Sequence, residues 1–201
     1  EPFLEMIEKV WMDTYTAEVG QQTLRSYIPK QLLLVGSASY NDDGSTTEGT
    51  AEGGRQIVLY SVNDFNFELE QIQSYAHVMH HEFAHILHQN VEYDAEFEKI
   101  TPSYSSSWMQ MNDETARSKG FITAYAFSSA DEDFAEMVSI MLTNSPEDWD
   151  NMIENAGNAA AVEALRKKEA IVVAYMKNNW GVNMKDFQKE VVAAIEAAVR
   201  N

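Results

Sequence analysis

The chain has 201 residues, no cysteine and a formal net charge of −18. Its 45% apolar content is that of a globular protein, and its length suffices for one sizeable core. The charge excludes nucleic acid as an electrostatic partner, the missing cysteines exclude disulfides and thiol chemistry, and no run of about 18 apolar residues predicts a membrane span.

The first part of the chain alternates between helical and strand patterns. Residues 2–15 show the apolar spacing of an amphipathic helix. Residues 31–40 and 56–62 predict two strands, and the Gly-, Thr- and Ser-rich stretch 41–54 predicts a long loop between them. The second strand is a candidate edge beside a cleft, where extended peptide could pair with it, and an ordinary sheet strand is the alternative.

The rest of the chain is predominantly helical in pattern. Helices are predicted at residues 72–91, 129–142, 145–157, 159–178 and 184–200. The segment 93–119 holds a proline and a serine run, which favours a loop in part. We expect its Trp108, Met109 and Met111 in the core, and the lining of a pocket is the alternative. The pattern predicts an α+β fold, rich in helix, with a small sheet. We expect one domain, in which residues 1–90 form a sheet lobe and residues 91–201 a helical lobe.

All five histidines lie between positions 77 and 88, and residues 81–85 read H-E-F-A-H. On a helix, His81 and His85 lie on one face about 6 Å apart along the axis, and Glu82 is turned aside by roughly 100°. Two imidazoles can then hold Zn²⁺, the metal acidifies a water, and the carboxylate, which is not a ligand, takes its proton. This spacing is typical of a hydrolytic zinc site on one helix.

The flanking histidines have two interpretations. His77 and His88 project from nearly the same face as His81 and His85, so each could bind a metal directly or act as a hydrogen-bonded neighbour of a ligand. His80 points elsewhere on the helix.

A catalytic zinc needs a third protein ligand and an open position. No histidine follows His88, and the metzincin continuation fails there, so the third ligand is an acid. Glu132 and Glu136 share one face of the predicted helix 129–142; the first could bind zinc and the second could accept the distal N–H of a liganding histidine. Ser129 and Glu132 also fit a capping box, which leaves Glu132 open as a plain helix-start residue.

Two stretches carry a resemblance to a known family: YAHVMHHEFAHILHQN at 75–90 and GFITAYAFSSADEDFAEMVS at 120–139. They resemble gluzincins, and more narrowly the zinc-binding metallopeptidase lipoproteins of Bacteroidetes that are associated with outer-membrane nutrient import. A more distant resemblance is to the catalytic domain of anthrax lethal factor. The resemblance implies a zincin-like metalloprotease fold with His81, His85 and Glu132 as zinc ligands, Glu82 as general base, Glu136 behind a liganding histidine and Tyr125 as oxyanion donor.

The implied function is a zinc metallopeptidase that hydrolyses a peptide or protein substrate. The resemblance also implies a bacterial cell-envelope location, as an outer-membrane lipoprotein or at the periplasm or cell surface, with a lipid anchor upstream of this chain and an outer-membrane import complex as partner. Three alternatives stay open: a catalytically silent zinc-binding accessory lipoprotein, an iron(II) oxygenase with two histidines and one carboxylate, and a coincidental motif.

Overall fold

The computed structural model describes residues 2–41, 44, 46–52 and 56–199. The helices are α1 Pro2–Ile7, α2 Thr14–Val19, α3 Gln21–Tyr27, α4 Leu69–Asn90, α5 Glu96–Ile100, α6 Asp113–Arg117, α7 Ala130–Thr143, α8 Pro146–Glu154, α9 Ala159–Tyr175 and α10 Met184–Ala198. The strands are β1 Gln31–Leu34, β2 Ser39–Tyr40, β3 Thr46–Thr47, β4 Gly49–Glu52 and β5 Gln56–Leu59. Two π-helical segments, Glu8–Asp13 and Met176–Trp180, and three 3₁₀ turns, Val62–Asp64, Ser106–Gln110 and Tyr125–Phe127, complete the elements.

The helices together with the small sheet confirm the predicted α+β class, and the helices agree with most of those predicted from the sequence. The first helix continues past its predicted end to Val19 through a π-helical segment, and α4 begins at Leu69, a few residues before its predicted start. Ser129 and Ser145 cap α7 and α8, each accepting a backbone N–H from the first turn. The predicted end of the last helix at residue 200 lies outside the described residues.

The main sheet has three strands in the order β1-β5-β4. β1 pairs parallel to β5, β4 pairs antiparallel to it, and β2 and β3 form a separate two-stranded pair. The strand predicted at residues 56–62 is confirmed as an ordinary sheet strand that ends at Leu59, and the edge position is wrong, because β5 is the central strand and Ile57 to Leu59 are buried. An unbroken apolar run is what a strand covered on both faces requires.

The edge of this sheet beside α4 is β4, which lies in the stretch predicted as loop. Thr50 in β4, like Thr46 and Thr47 in the preceding β3, is a β-branched residue that favours strand geometry, and pairing with β5 fixes the register of β4. A Cβ at Gly49 would collide with the side chain of Val78 and lie 3.1 Å from a β5 carbonyl. Glycine thus lets β4 lie directly against the histidine helix. The loop prediction is wrong for residues 46–52, and residues 42, 43, 45 and 53–55 lie outside the described part.

The core lies between α4 and α7, with the N-terminal helices and α9 and α10 packed around this pair. A buried ion pair joins α9 to the start of α7: Lys168 Nζ lies 2.5 Å from Asp133 Oδ2 and also donates to the Gly120 carbonyl at 2.8 Å. Tyr104 donates to the same Asp133 oxygen at 3.0 Å. These contacts hold the first turn of α7 in a fixed position.

One predicted core residue is exposed instead. Met109 has 58% of its surface exposed, whereas Trp108 and Met111 pack partly buried against the core. The core expectation is therefore wrong for Met109, which follows the alternative and lines a cleft. Within the described residues, no helix combines the length and the apolar character that crossing a bilayer requires.

Candidate metal centre

Three of the predicted ligands converge on one point. His81 Nε2 lies 2.9 Å from Glu132 Oε2, His85 Nε2 lies 3.1 Å from the same oxygen, and the two nitrogens are 3.1 Å apart. α4 supplies both imidazoles from one face and α7 supplies the carboxylate. Two atoms that bind zinc at about 2.0–2.1 Å with tetrahedral angles stand about 3.3 Å apart, so this triangle fits a zinc ion within a few tenths of an ångström.

The hydrogen bonds around His81 fix which of its nitrogens faces the triangle with a lone pair. His81 Nδ1 lies 2.7 Å from Glu136 Oε1, a carboxylate that only accepts, so Nδ1 carries the proton. Nε2 of the neutral ring then points a lone pair at Glu132 and His85. Three electron-rich atoms at such distances need a cation or an added proton between them. The residues present therefore fit a divalent metal.

The electrostatics of the triangle favour positive charge. Burial alone lowers the pKa of His81, but hydrogen bonds to Glu132 and Glu136 outweigh it and raise the pKa to about 10. Burial raises the pKa of Glu132, and hydrogen bonds to His81 and His85 overcome this and lower it to about 2. A proton and a metal ion thus compete for the same position, and the carboxylates hold either.

Glu136 is buried behind the triangle and accepts three hydrogen bonds. Its Oε1 lies 2.7 Å from His81 Nδ1 and 2.8 Å from His77 Nε2, and its Oε2 accepts from the Thr123 hydroxyl at 2.7 Å. His77, His81 and Glu136 also form a second candidate metal group. This group needs no ion, because Glu136 Oε1 accepts a hydrogen bond from each of the two histidines. The N–H of each ring already fills the space between its nitrogen and that oxygen.

The other histidines lie outside the triangle. His85 Nδ1 lies 2.9 Å from His88 Nε2, and burial lowers the pKa of His88, which favours a neutral ring that accepts the His85 N–H. Such an acceptor fixes the tautomer of a liganding histidine. His80 is fully buried between Tyr15 and Phe187, and burial lowers its pKa to about 3.

The sequence left two interpretations of Glu132 open, and in the structure its backbone fits one and its side chain fits the other. Ser129 Oγ accepts the Glu132 backbone N–H at 3.3 Å, which caps α7. The Glu132 side chain turns away from that cap towards the two histidines. The backbone of this residue starts the helix while its carboxylate completes the triangle.

Tyr125 lies at the rim of the triangle, on the 3₁₀ turn before α7. Its ring centre is 5.8 Å from that of His81, and 38% of its surface is exposed. Burial, and then the negative charge of Glu132 nearby, raise its pKa above the usual range. The phenol therefore keeps its proton at neutral pH and remains a donor.

A cleft runs past the triangle on both sides. One part, of about 500 Å³, extends towards the N-terminal end of the motif and the other, of about 550 Å³, towards its C-terminal end. Both share Thr47, Gly49, His81, Glu82 and Tyr125 as lining residues. Glu82 is mostly buried and reaches this surface beside His81.

The comparisons with known proteins agree with this geometry. The model of a family described as "putative zinc-binding metallo-peptidase" matches residues 1–185. The chain belongs to this family. A crystal structure of a zinc-binding metallo-peptidase of the same description, from Bacteroides caccae, is 33% identical, with a TM-score of 0.84 over 98% of this chain and 76% of that one. No protein with curated annotation matches.

The sequence of this family member predicts the residues of the triangle and offers His77 as a neighbour, but it gives no sign of Thr123. Thr123, which donates to Glu136 and accepts the backbone N–H of Ala126 at 3.1 Å, carries no motif signal. Its role depends on the turn that brings it against α7. His77 had a signal, since it lies one helical turn before His81, but its partner could be assigned only in three dimensions.

Proposed function

We propose that this metallo-peptidase family member is a zinc-dependent hydrolase of peptide bonds. The observation that carries the proposal is the convergence of His81 Nε2, His85 Nε2 and Glu132 Oε2 within 3.1 Å beside an open cleft. Three protein ligands and an accessible fourth side are typical of a catalytic zinc. Zinc bound there would act as a Lewis acid that polarises a carbonyl and lowers the pKa of water.

The chain's own groups supply the proton transfers. Glu82 lies next to the first ligand, lines both parts of the cleft and is not part of the triangle. Its carboxylate takes a proton from the attacking water and returns it to the leaving amine. Tyr125, a protonated phenol at the rim, donates a hydrogen bond to the carbonyl oxygen as negative charge develops on it.

The edge of the sheet supports an extended peptide as substrate. β4 pairs with β5 on one side, and among the described residues no strand pairs with its other side. Gly49 and Thr50 of this edge line the cleft beside His81 and Glu82. A peptide that added a strand to β4 would carry its backbone past the triangle.

The test measures zinc content and turnover side by side in wild type, Glu132→Ala and Glu82→Gln. We expect about one zinc per wild-type chain by elemental mass spectrometry and its loss in Glu132→Ala. Glu82→Gln should keep zinc and lose about 10²- to 10⁴-fold in cleavage of an unstructured protein substrate. The exposed Glu92→Gln variant is the control.

Two results would contradict the proposal. A fully active Glu82→Gln variant would refute the general base. Zinc-loaded wild type that cleaves no peptide would favour the silent binding protein instead.

A further inference from the structure

The two parts of the cleft differ in chemistry, and this difference carries an inference about the substrate. The part towards the N-terminal end of the motif is lined on one side by Val78, Trp108, Met109 and Tyr125, and we call these four residues the apolar wall. The opposite part is lined by polar groups that include His88, Gln89, Ser129 and Asp131.

The apolar wall is exposed to an unusual degree for its composition. Met109 is 58% and Tyr125 38% exposed, while α4 fixes Val78 behind them. Trp108 packs edge-on against Tyr125, with ring centres 4.9 Å apart, so these two side chains of the wall support each other's position. Large apolar side chains exposed together next to reactive groups mark a binding surface.

The charges of the cleft limit what can approach. Five acids line its two parts, namely Glu48, Glu82, Asp131, Glu132 and Glu136, and no lysine or arginine does among the described lining residues. A peptide with a free terminal carboxylate, or with an acidic side chain near the bond, would meet the like charge of these carboxylates and, apart from the metal itself, find no cationic side chain to pair with. An internal bond of a neutral or basic segment avoids this cost.

We propose that the apolar wall is a specificity subsite, which seats a large apolar side chain adjacent to the scissile bond of an internal, non-acidic peptide segment. This rests on the proposed peptidase function and names its substrate class. Met109 and Trp108 determine the preference, since Val78 is buried behind them and Tyr125 already serves as the oxyanion donor. The occupant is one side chain of a peptide whose backbone lies along β4.

The experiment measures binding and does not depend on turnover. Zinc-loaded Glu82→Gln protein is titrated with fluorescein-labelled peptides that are blocked at both ends and differ at one central residue: Phe, Leu, Ala or Asp. Burial of a large apolar side chain favours binding by about 10- to 100-fold, so Phe and Leu should bind at least tenfold more tightly than Ala. Asp, and a Phe peptide with a free carboxylate, should bind more weakly than their neutral counterparts.

Matched variants assign the preference to the wall. Met109→Ala, added to the Glu82→Gln protein, should reduce the Phe-to-Ala ratio about tenfold, because much of the wall's contact area is lost. Leu4→Ala, at a comparably exposed apolar residue on α1, should leave the ratio unchanged. Equal affinities for all four peptides, no measurable binding, or a ratio that survives Met109→Ala would overturn the subsite.

The same peptides separate this proposal from the proposed function. If wild-type enzyme cleaves them at equal rates while their affinities do not differ, the peptidase stands and the subsite fails. If affinities follow the expected order but zinc-loaded wild type cleaves none, the subsite stands and the peptidase fails.

Discussion

Replacement of Glu136 by glutamine tests whether the carboxylate behind the triangle strengthens metal binding. The wild-type carboxylate accepts bonds of 2.7, 2.8 and 2.7 Å from His81, His77 and Thr123. An amide oxygen in the place of Oε1 can still accept from both histidines, and the Thr123 hydroxyl can rotate to accept from the amide nitrogen. The variant should therefore keep its fold and lose only the negative charge.

The expected magnitude follows from that single loss. Partners of this kind contribute about 10- to 100-fold to metal affinity, or about 1.4–2.7 kcal/mol, because they raise the basicity of the liganding ring. We expect the zinc dissociation constant of Glu136→Gln to rise by that factor, measured by competition with a chromophoric chelator. Glu136→Ala should also destabilise the fold, since His81, His77 and Thr123 would then lack their acceptor, and a buried donor such as that of His81 costs about 1–3 kcal/mol when it is left unpaired.

The control is Glu147→Gln, an exposed acid at the start of α8 that lies outside the site. Its zinc affinity should equal that of wild type. If Glu136→Gln kept its melting temperature and bound zinc within threefold of wild type, the carboxylate would not tune His81, and our account of the hydrogen-bond network would be wrong.

Three further expectations concern coupling and stability. Thr123→Val should bind zinc within threefold of wild type yet lose at least tenfold in turnover, because the 3₁₀ turn that carries Tyr125 loses its hydrogen bond to Glu136 of α7. Thr123→Ser should restore activity. Equal losses in Thr143→Val, which removes a hydroxyl elsewhere on α7, would contradict this. Lys168→Met should destabilise the protein by about 3–5 kcal/mol in urea unfolding, because it leaves Asp133 buried without its cation, and adding Asp133→Leu should recover most of that; no recovery would refute it. A chelator should lower the melting temperature of wild type but not of Glu132→Ala, since zinc at 100 times its dissociation constant stabilises by about 2.7 kcal/mol.

The metal triangle could be predicted because its determinants are local and few. Helical spacing places His81 and His85 on one face, and the lack of cysteine and of later histidines leaves only acids for the third position. The spacing between Glu132 and Glu136 on a second helix left Glu132 open as a ligand or as a plain helix-start residue, and the family resemblance decided for the ligand. Nothing in this reasoning needs the path of the chain between the helices.

The cleft could not be predicted because tertiary contacts create it. β4 is a short Gly- and Thr-containing strand whose formation depends on pairing with β5 and on close contact with Val78, and neither is visible in its own sequence. Met109 breaks the rule that large apolar residues are buried, and such local inconsistencies are expected at functional sites. The two-lobe division, the lipid anchor and the import partner stay predictions.

The alternating contacts between the histidines of α4 and the glutamates of α7 explain why, of the two similar clusters around Glu132 and Glu136, the one around Glu132 suits a metal. Histidines at 77, 81 and 85 face glutamates at 132 and 136 on an antiparallel helix, so each carboxylate lies between two successive rings. Glu136 faces N–H groups and a hydroxyl and is buried, and both lone pairs of the Oε1 atom that faces the two histidines are already used. Glu132 faces nitrogen lone pairs and opens to the cleft. Because His81 belongs to both clusters, a proton on its Nδ1 satisfies the inner carboxylate and leaves Nε2 free to bind metal at the outer one. One ring therefore determines both the tautomer and the position of the site.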